Sequence, residues 1–512
     1  MRMPRAALHI QLSVVDYTTE RCARAQHAAP LAGNNIHVSA HDHIPLYVDL
    51  DGTLTYSDLL LESLFALLRR NPLYLFLLPW WLAQGKANLK AQIAQRVEID
   101  VTQLPYHPAF LEFLQAEHAR GRRLILATAS SRHYAEQVAQ HLGIFAEVLG
   151  SDATHNLAGA AKRDVILAHN LQQPFDYAGN ERKDVAIWRR ARAALVVNAS
   201  DGVIGAATRA TQVQQVFDRP SGGALRYLHA LRPHQWLKNL LLFVPLLTAH
   251  KWANHTAVGH LLVAFVAFGL AASSVYVLND LLDLSADRLH PRKRTRPFAS
   301  GVLPLLQGLL LVPLLAIAGL LVAALVSREL VGALLVYLLL TTGYSLYFKR
   351  YALIDVLVLA GLYTLRVIAG ALAIDVPLSF WLLAFSVFLF FSVALLKRCV
   401  ELRGLRDGVR LSTVGRDYHV GDLSDLRAMG MASGYIAVLV FALFINSPEV
   451  AERYSHPQLL WLSCPALLYW VSRVWIKQGR GEMHDDPLMF ALRDPASWVV
   501  LMALLAVVFA AI

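Results

Sequence analysis

The sequence predicts a multidomain chain: an N-terminal doubly wound α/β domain with a helical cap, then an all-α membrane domain of nine transmembrane helices. Three observations predict it. A composition of 56% hydrophobic and 16% charged residues over 512 positions is too apolar for an ordinary soluble protein, and the length suits more than one domain. The polarity is uneven, with a mixed stretch over residues 1–225 and mostly apolar runs separated by short charged loops over 238–512. Within the first stretch, strand-like and helix-like segments alternate, as doubly wound sheets require.

Residues 1–43 hold Arg2 and Arg5 but no uninterrupted apolar core, so a poorly ordered leader is expected there rather than a signal peptide. The α/β domain is expected over 44–205, its cap over about 58–118. Residues 44–56 read as a short buried strand running into an acidic, glycine-containing loop. The apolar centre at 73–81 (Leu-Tyr-Leu-Phe-Leu-Leu-Pro-Trp-Trp) is too short to cross a bilayer. It reads equally as packing inside the cap and as a patch lying on a membrane. Further strands and helices are expected at 124–127, 132–142, 147–150, 162–169, 176–179, 184–191 and 194–197, and a linker or interfacial segment at 206–235.

The membrane domain is expected over 236–512, with spans at 238–249, 257–278, 301–326, 329–348, 354–374, 378–396, 428–446, 458–476 and 495–512. Several reach the ~20 apolar residues that a crossing needs. Lysine and arginine crowd the loops after even-numbered spans, among them Arg288, Arg292, Lys293, Arg294, Arg296, Lys349, Arg350, Lys397 and Arg398. The opposite loops hold Lys251, Arg328 and Arg453. That asymmetry predicts a multi-pass protein of a bacterial-type inner membrane, with the α/β domain cytoplasmic. The net charge of +10 then reflects orientation and anionic substrates, with no nucleic acid expected as a partner. Cys22, Cys399 and Cys464 lie too far apart for a disulfide framework or a metal-site spacing.

Two constellations carry chemistry. Asp280, Asp283 and Asp287 follow the second expected span at i, i+3 and i+7, which puts three carboxylates on one face of a helix. Acids where a span meets water are costly unless they hold a cation, such as Mg²⁺ carrying a diphosphate. The basic run His290-Pro-Arg-Lys293-Arg-Thr-Arg296-Pro suits that anion, although a polar helix end with positive-inside flanks has the same appearance. The other constellation is Asp49-Leu-Asp51-Gly-Thr53, directly after a strand.

The second of these resembles the nucleophile loop of haloacid dehalogenase-like phosphohydrolases, over roughly residues 44–205. The resemblance implies that Asp49 is the nucleophile and Asp51 the general acid/base. It also implies that Thr128 binds phosphate, that Lys162 neutralises it, and that the insert is a cap of the phosphoserine-phosphatase type. Asp49, Asp51, Asn180 and Asp184 would hold Mg²⁺. One position departs from the family: Gly-Asp-x-x-x-Asp is here Gly179-Asn180-Glu-Arg-Lys-Asp184. Asparagine keeps an oxygen donor but removes a charge, with Glu181 a candidate to compensate. A working phosphatase and a regulatory or vestigial domain therefore both stay open.

Asn279-Asp280-x-x-Asp283-x-x-x-Asp287 resembles the first aspartate-rich motif of the UbiA-type intramembrane prenyltransferase superfamily, over about residues 226–512. That implies Asp280 and Asp283 as catalytic Mg²⁺ ligands with Asp287, and Asn279 supplying or orienting an oxygen. The second acidic pair of aromatic prenyltransferases has no counterpart at the corresponding place. Tyr344, Lys349, Asp355, Arg366, Lys397 and Arg398, with Lys293 and Arg296, instead resemble the decaprenyl-phosphate phosphoribosyltransferase type. The resemblance implies a phosphoribosyl diphosphate donor and a polyprenyl phosphate acceptor. Cations in place of acids suit a pocket that takes a diphosphate, a 5-phosphate and a lipid phosphate.

Each position also has a plainer reading. Arg366 lies about three helical turns from Asp355, so the two could form a buried ion pair without catalytic part. Lys349, Arg350, Lys397 and Arg398 match positive-inside flanks, and Tyr344 an interface anchor. Lys238 and Asn239 open the membrane domain as substrate contacts or as an interfacial helix start. Arg480-Gly-Glu-Met-His-Asp485-Asp486 reads as a metal-related loop or a solvated turn. Two rival functions follow: transfer of a prenyl group from its diphosphate to an aromatic or other small acceptor, and a membrane transporter with a regulatory soluble domain.

Overall fold

A computed structural model describes residues 44–218, 223–407, 416–448, 450, 454–483 and 487–512. The expected leader at 1–43 and the acidic stretch with Asp485 and Asp486 lie outside the described residues.

The N-terminal part is built on six parallel strands: β1 (Leu46–Val48), β2 (Leu124–Ser131), β3 (Glu147–Ser151), β4 (Asp176–Gly179), β5 (Ala193–Val197) and β6 (Gln212–Phe217). Their order is β3-β2-β1-β4-β5-β6. Alternate side chains supply two cores. Leu46, Val48, Leu126 and Val197 pack on one face, while Tyr47, Ile125, Tyr177 and Trp188 pack on the other. Both faces are thus covered, as a parallel sheet requires. The order reverses at β1, where such sheets place their ligands beyond the strand C-termini. Asp49 and Asp51 leave β1 at that point. Strand β6 falls within 206–235, so the stretch expected as a linker contains the edge of the sheet. Its sequence, with Gln212, Gln214 and Gln215 exposed, is too polar to stand out as a strand.

Helices Leu59–Arg70, Leu78–Ala83, Lys86–Ala94 and Pro108–Ala119 lie between β1 and β2. Asp58 caps the first, accepting from the Leu61 N–H. In the apolar stretch Trp81 is buried, whereas Leu73, Phe76 and Trp80 are 67%, 77% and 66% exposed. Most of that stretch is therefore not packed inside the cap.

The C-terminal part is helical. Among the described residues seven helices are long and apolar enough to cross a membrane: His255–Leu282, Leu305–Ala324, Arg328–Leu346, Ile354–Ala373, Phe380–Leu405, Val420–Ile445 and Pro457–Arg480. They correspond to seven of the nine expected spans. The expected span at 238–249 is instead a 3₁₀ segment, Pro233–Phe243, running into the short helix Val244–Thr248. Proline at the start of each piece accounts for the interruption. The span expected at 495–512 is an apolar helix of 17 residues, Pro495–Ala511. Close packing uses small residues and hydroxyls. Gly269 faces the Trp236 ring, whose Nε1 donates to Ser273 Oγ at 2.9 Å, and Ser274 Oγ donates to the Val312 carbonyl at 2.7 Å.

The two parts are docked through a buried contact. Phe65 of the cap joins Val277, Leu281, Leu284, Phe298 and Leu303 in one apolar cluster. Beside it Arg288 Nη1 and Nη2 donate to Glu62 at 2.9 and 2.5 Å, with both side chains more than nine-tenths buried. Gly301, at φ +76°, lies against Tyr56 and Pro105, where any side chain would collide. Removing one partner of a buried pair strands the other charge, at a cost of about 3–5 kcal/mol. Glu62→Ala is therefore expected to lower the thermal unfolding midpoint of the purified protein more than Glu112→Ala, a change at a surface carboxylate.

Candidate active site

The helical part encloses a cavity of about 350 Å³ at the end of helix His255–Leu282. Its lining includes Asn279, Asp280, Asp283, Tyr344, Thr341 and Tyr276. Among the described residues its charged lining is eight cations, Arg232, Lys238, Lys293, Arg296, Lys349, Arg366, Lys397 and Arg416, against those two aspartates.

The acidic motif does not run along one unbroken helix face. Helix His255–Leu282 stops at Asp283, which caps it, and a second helix, Leu284–Leu289, starts immediately after. The break separates the three carboxylates. Asp280 is buried, bound by Arg232 and, at 3.1 Å, by Arg296. Asp283 is partly open, 3.3 Å from Arg69 of the cap and 3.6 Å from Lys349. Asp287 is buried against Arg296 at 2.6 Å and is not part of the cavity lining, contrary to its expected role beside the other two.

The expected cations divide in the same way. Lys238, Lys293, Arg296, Lys349 and Lys397 line the cavity, as does Tyr344. Arg366 also lines it, but its guanidinium is held from behind by Asn239 at 3.0 Å, the Tyr337 hydroxyl at 3.0 Å and the Leu362 carbonyl at 2.7 Å. Asp355 does not pair with Arg366. It is fully buried, 2.6 Å from Arg398 and accepting from the Tyr418 hydroxyl. Arg398 in turn donates to the Tyr344 hydroxyl at 3.0 Å and to Glu401. Asp355 and Arg398 thus sit behind the cavity wall rather than in it, and they orient Tyr344.

The second site lies at the C-terminal end of β1. Asp49 Oδ1 accepts from Lys162 Nζ at 2.8 Å and from the Leu50 N–H at 2.9 Å. Burial outweighs that lysine and raises the Asp49 pKa to about 6. Asp51 accepts from the Leu59 N–H at 2.9 Å and from Ser130 Oγ at 2.5 Å. Burial, with the nearby Asp58 carboxylate, pushes Asp51 up to about 7, a value suited to proton transfer near neutrality. Thr128 is fully buried in β2, its hydroxyl accepting from the Ser130 N–H at 3.0 Å. Gly52, at φ +71°, leaves room only for the Asn180 side chain above it. Asp184 is occupied on both oxygens, by the Asn180 and Glu181 N–H groups at 3.0 and 2.9 Å and by the Tyr177 hydroxyl at 2.9 Å. Glu181 turns outward to Lys183 at 3.1 Å, so it does not restore the charge missing at Asn180.

Among the described residues no three of His, Cys, Asp and Glu converge as a ready-made metal cage. Each site instead offers oxygen donors with one conspicuous vacancy in bonding: Asn180 Oδ1 and Asn279 Oδ1 are both buried without a hydrogen-bond partner. Mg²⁺ typically takes one or two carboxylates and completes its shell with water and substrate phosphate. Asp280, Asp283 and Asn279 fit that pattern, as do Asp49, Asp51 and Asn180.

Arg232, Arg69, Arg416 and Ser130 were not singled out from the sequence. Arg69, Arg232 and Arg416 reach their site from segments distant in sequence from the acidic motif, whereas Ser130 lies two residues after Thr128, which was the local signal for it.

The chain matches the UbiA prenyltransferase family over residues 240–491 and the haloacid dehalogenase-like hydrolases over residues 46–187. It is 35% identical to an uncharacterized protein of Sinorhizobium fredii, over 89% of each chain. It is 37% identical to the nodulation protein NoeC of Azorhizobium caulinodans, over 55% of this chain and 91% of that one. With a decaprenyl-phosphate phosphoribosyltransferase of Mycolicibacterium smegmatis it shares 31% identity, over 56% of this chain and 92% of that one.

Proposed function

We infer the reaction from a plain premise: the chain belongs to the UbiA prenyltransferase family and carries a haloacid dehalogenase-like domain ahead of it. The membrane domain transfers 5-phosphoribose from phosphoribosyl diphosphate to a polyprenyl phosphate. A lipid phosphate oxygen attacks C1 of the ribose, and diphosphate leaves with the bonding electrons. The observation that carries this reading is the charge of the cavity, eight cations around two carboxylates. A prenyl diphosphate with a neutral aromatic acceptor brings one anionic group, whereas the proposed pair brings three. The similarity to a decaprenyl-phosphate phosphoribosyltransferase supports it.

Bound Mg²⁺ would offset charge on the departing diphosphate. Asp280, Asp283 and Asn279 are the residues to hold it, with Asp280 kept in place by Arg232 and Arg296. Lys293, Arg296, Lys349 and Lys397 bind phosphate oxygens, and Lys238 and Arg366 line the same cavity. Asp355 positions rather than binds, through Arg398 and Tyr344.

The α/β domain then hydrolyses a phosphate ester, the 5-phosphate of the product. Asp49 attacks phosphorus while Asp51 protonates the leaving oxygen. Afterwards Asp51 takes a proton from the water that releases the aspartyl-phosphate. Lys162 and Thr128 hold the transferred group, and the Asn180 oxygen, with Asp49 and Asp51, is the metal position. Both sites face the cytoplasm of a bacterial-type inner membrane in this reading, since Lys293 and Lys349 stand in cation-rich connections between helices and Lys397 in the cation-rich C-terminal part of helix Phe380–Leu405.

Donor competition tests the proposal. Purified protein with decaprenyl phosphate is expected to consume labelled phosphoribosyl diphosphate and to leave geranyl diphosphate untouched. Consumption of geranyl diphosphate alone contradicts it. Chelation by EDTA should abolish donor consumption, and added Mg²⁺ should restore it.

A further inference from the structure

We propose that the phosphatase site draws its substrate from the bilayer, so that the class it hydrolyses is a phosphate monoester carried on a membrane lipid. The inference rests on the reading of the α/β domain as a phosphatase of the lipid product and adds the route, with the prediction that a soluble ester of the same head group is a poor substrate.

The carrying observation is the wall of the site. A cavity of about 250 Å³ holds Asp51, Gly52, Asn180 and Asn198 on one side, and Pro304, Leu305 and Leu306 on the other. Those three residues are the cap and first turn of Leu305–Ala324, a helix long and apolar enough to span a membrane. Catalytic oxygens therefore open onto the very end of a crossing helix, at the depth where a lipid headgroup lies. Leu306 is 55% exposed and Leu61 closes the same cavity from the cap, an apolar rim that the first carbons of a lipid tail would follow. The two halves of the wall are held together, because Glu62 pairs with Arg288 and Gly301 packs against Tyr56, itself a lining residue.

A second, independent feature agrees. The exposed apolar residues Leu73, Phe76 and Trp80 follow directly on the helix Leu59–Arg70, whose last turn touches Asp283 and, through the Arg69 carbonyl, Arg350 at 2.6 Å. Large apolar side chains with a tryptophan beside a membrane domain suit an interfacial position. The cap would thus rest on the bilayer while the catalytic cleft meets it at Leu306. A soluble ester would have to reach Asp51 past that surface; a lipid-linked one is already there.

The test uses the full chain in phosphatidylcholine vesicles and a matched pair of esters, farnesyl-phosphoryl-ribose 5-phosphate and methyl-phosphoryl-ribose 5-phosphate, with p-nitrophenyl phosphate as a control. Phosphate release is expected to show kcat/KM at least tenfold higher for the farnesyl compound. Leu306→Lys should lower that ratio at least fivefold. Equal kcat/KM for the pair overturns the proposal, as does hydrolysis of p-nitrophenyl phosphate with neither ribose ester consumed. Hydrolysis of none of the three would instead remove the phosphatase reading beneath it.

Discussion

Asp283→Asn is expected to slow transfer by about 10²–10³-fold, the usual loss when one preorganised electrostatic contact to a developing charge is removed. Asp283 is the better probe of the two cavity carboxylates. Asp280 neutralises the half-buried Arg232 and Arg296, so its replacement strands cations and confounds chemistry with folding. Asp283 is partly open, and asparagine is nearly isosteric with it. Initial rates of diphosphate release from labelled donor measure the effect. Hydrolysis of p-nitrophenyl phosphate by the same preparation should stay unchanged and so report intact folding. A variant with wild-type transfer would remove Asp283 from the mechanism.

Asp49→Asn is expected to cut phosphate-ester hydrolysis by on the order of 10⁴-fold or more, as loss of a covalent nucleophile does. Transfer should persist, so the lipid product should accumulate with its 5-phosphate. The variant retains a polar partner for Lys162, whose ammonium is buried against Asp49 at 2.8 Å and loses only part of its support. Thin-layer separation of labelled lipid, with and without the substitution, reads the result directly. Unchanged hydrolysis would mean that Asp49 is not the nucleophile.

The parts of this protein that were legible in advance are those whose signal is local. Asp49, Asp51 and Gly52 fall within four residues, and the strand before them alternates between two buried faces, so loop and sheet could be read together. Seven spans were legible because length and hydropathy suffice to mark them. The remaining segments failed for particular reasons. The stretch at 238–249 is short and proline-interrupted in the sequence itself, and Pro233 and Pro245 go further than weakening its boundaries, breaking it into 3₁₀ and short helical pieces. Spacing at i, i+3 and i+7 assumed a continuous helix, whereas the chain turns at Asp283 and sends Asp287 behind Arg296.

Pairing across the fold was the other blind spot. Asp355 and Arg366 share a helix and a spacing, yet each is claimed by a residue from elsewhere, Arg398 and Asn239. Likewise Arg69, from the helices inserted in the α/β part, reaches an acid of the cavity in the helical part. Helical periodicity reports which face a residue occupies; the partner on that face is set by tertiary packing.

Mass spectrometry of the lipid product tests the central claim most directly. Purified protein is given phosphoribosyl diphosphate, decaprenyl phosphate and Mg²⁺, with the Asp49→Asn variant run in parallel. Decaprenyl-phosphoryl ribose from the unaltered protein, and the same lipid bearing one further phosphate from the variant, is the predicted result. A decaprenyl phosphate pool unchanged in mass, with phosphoribosyl diphosphate intact, would contradict it.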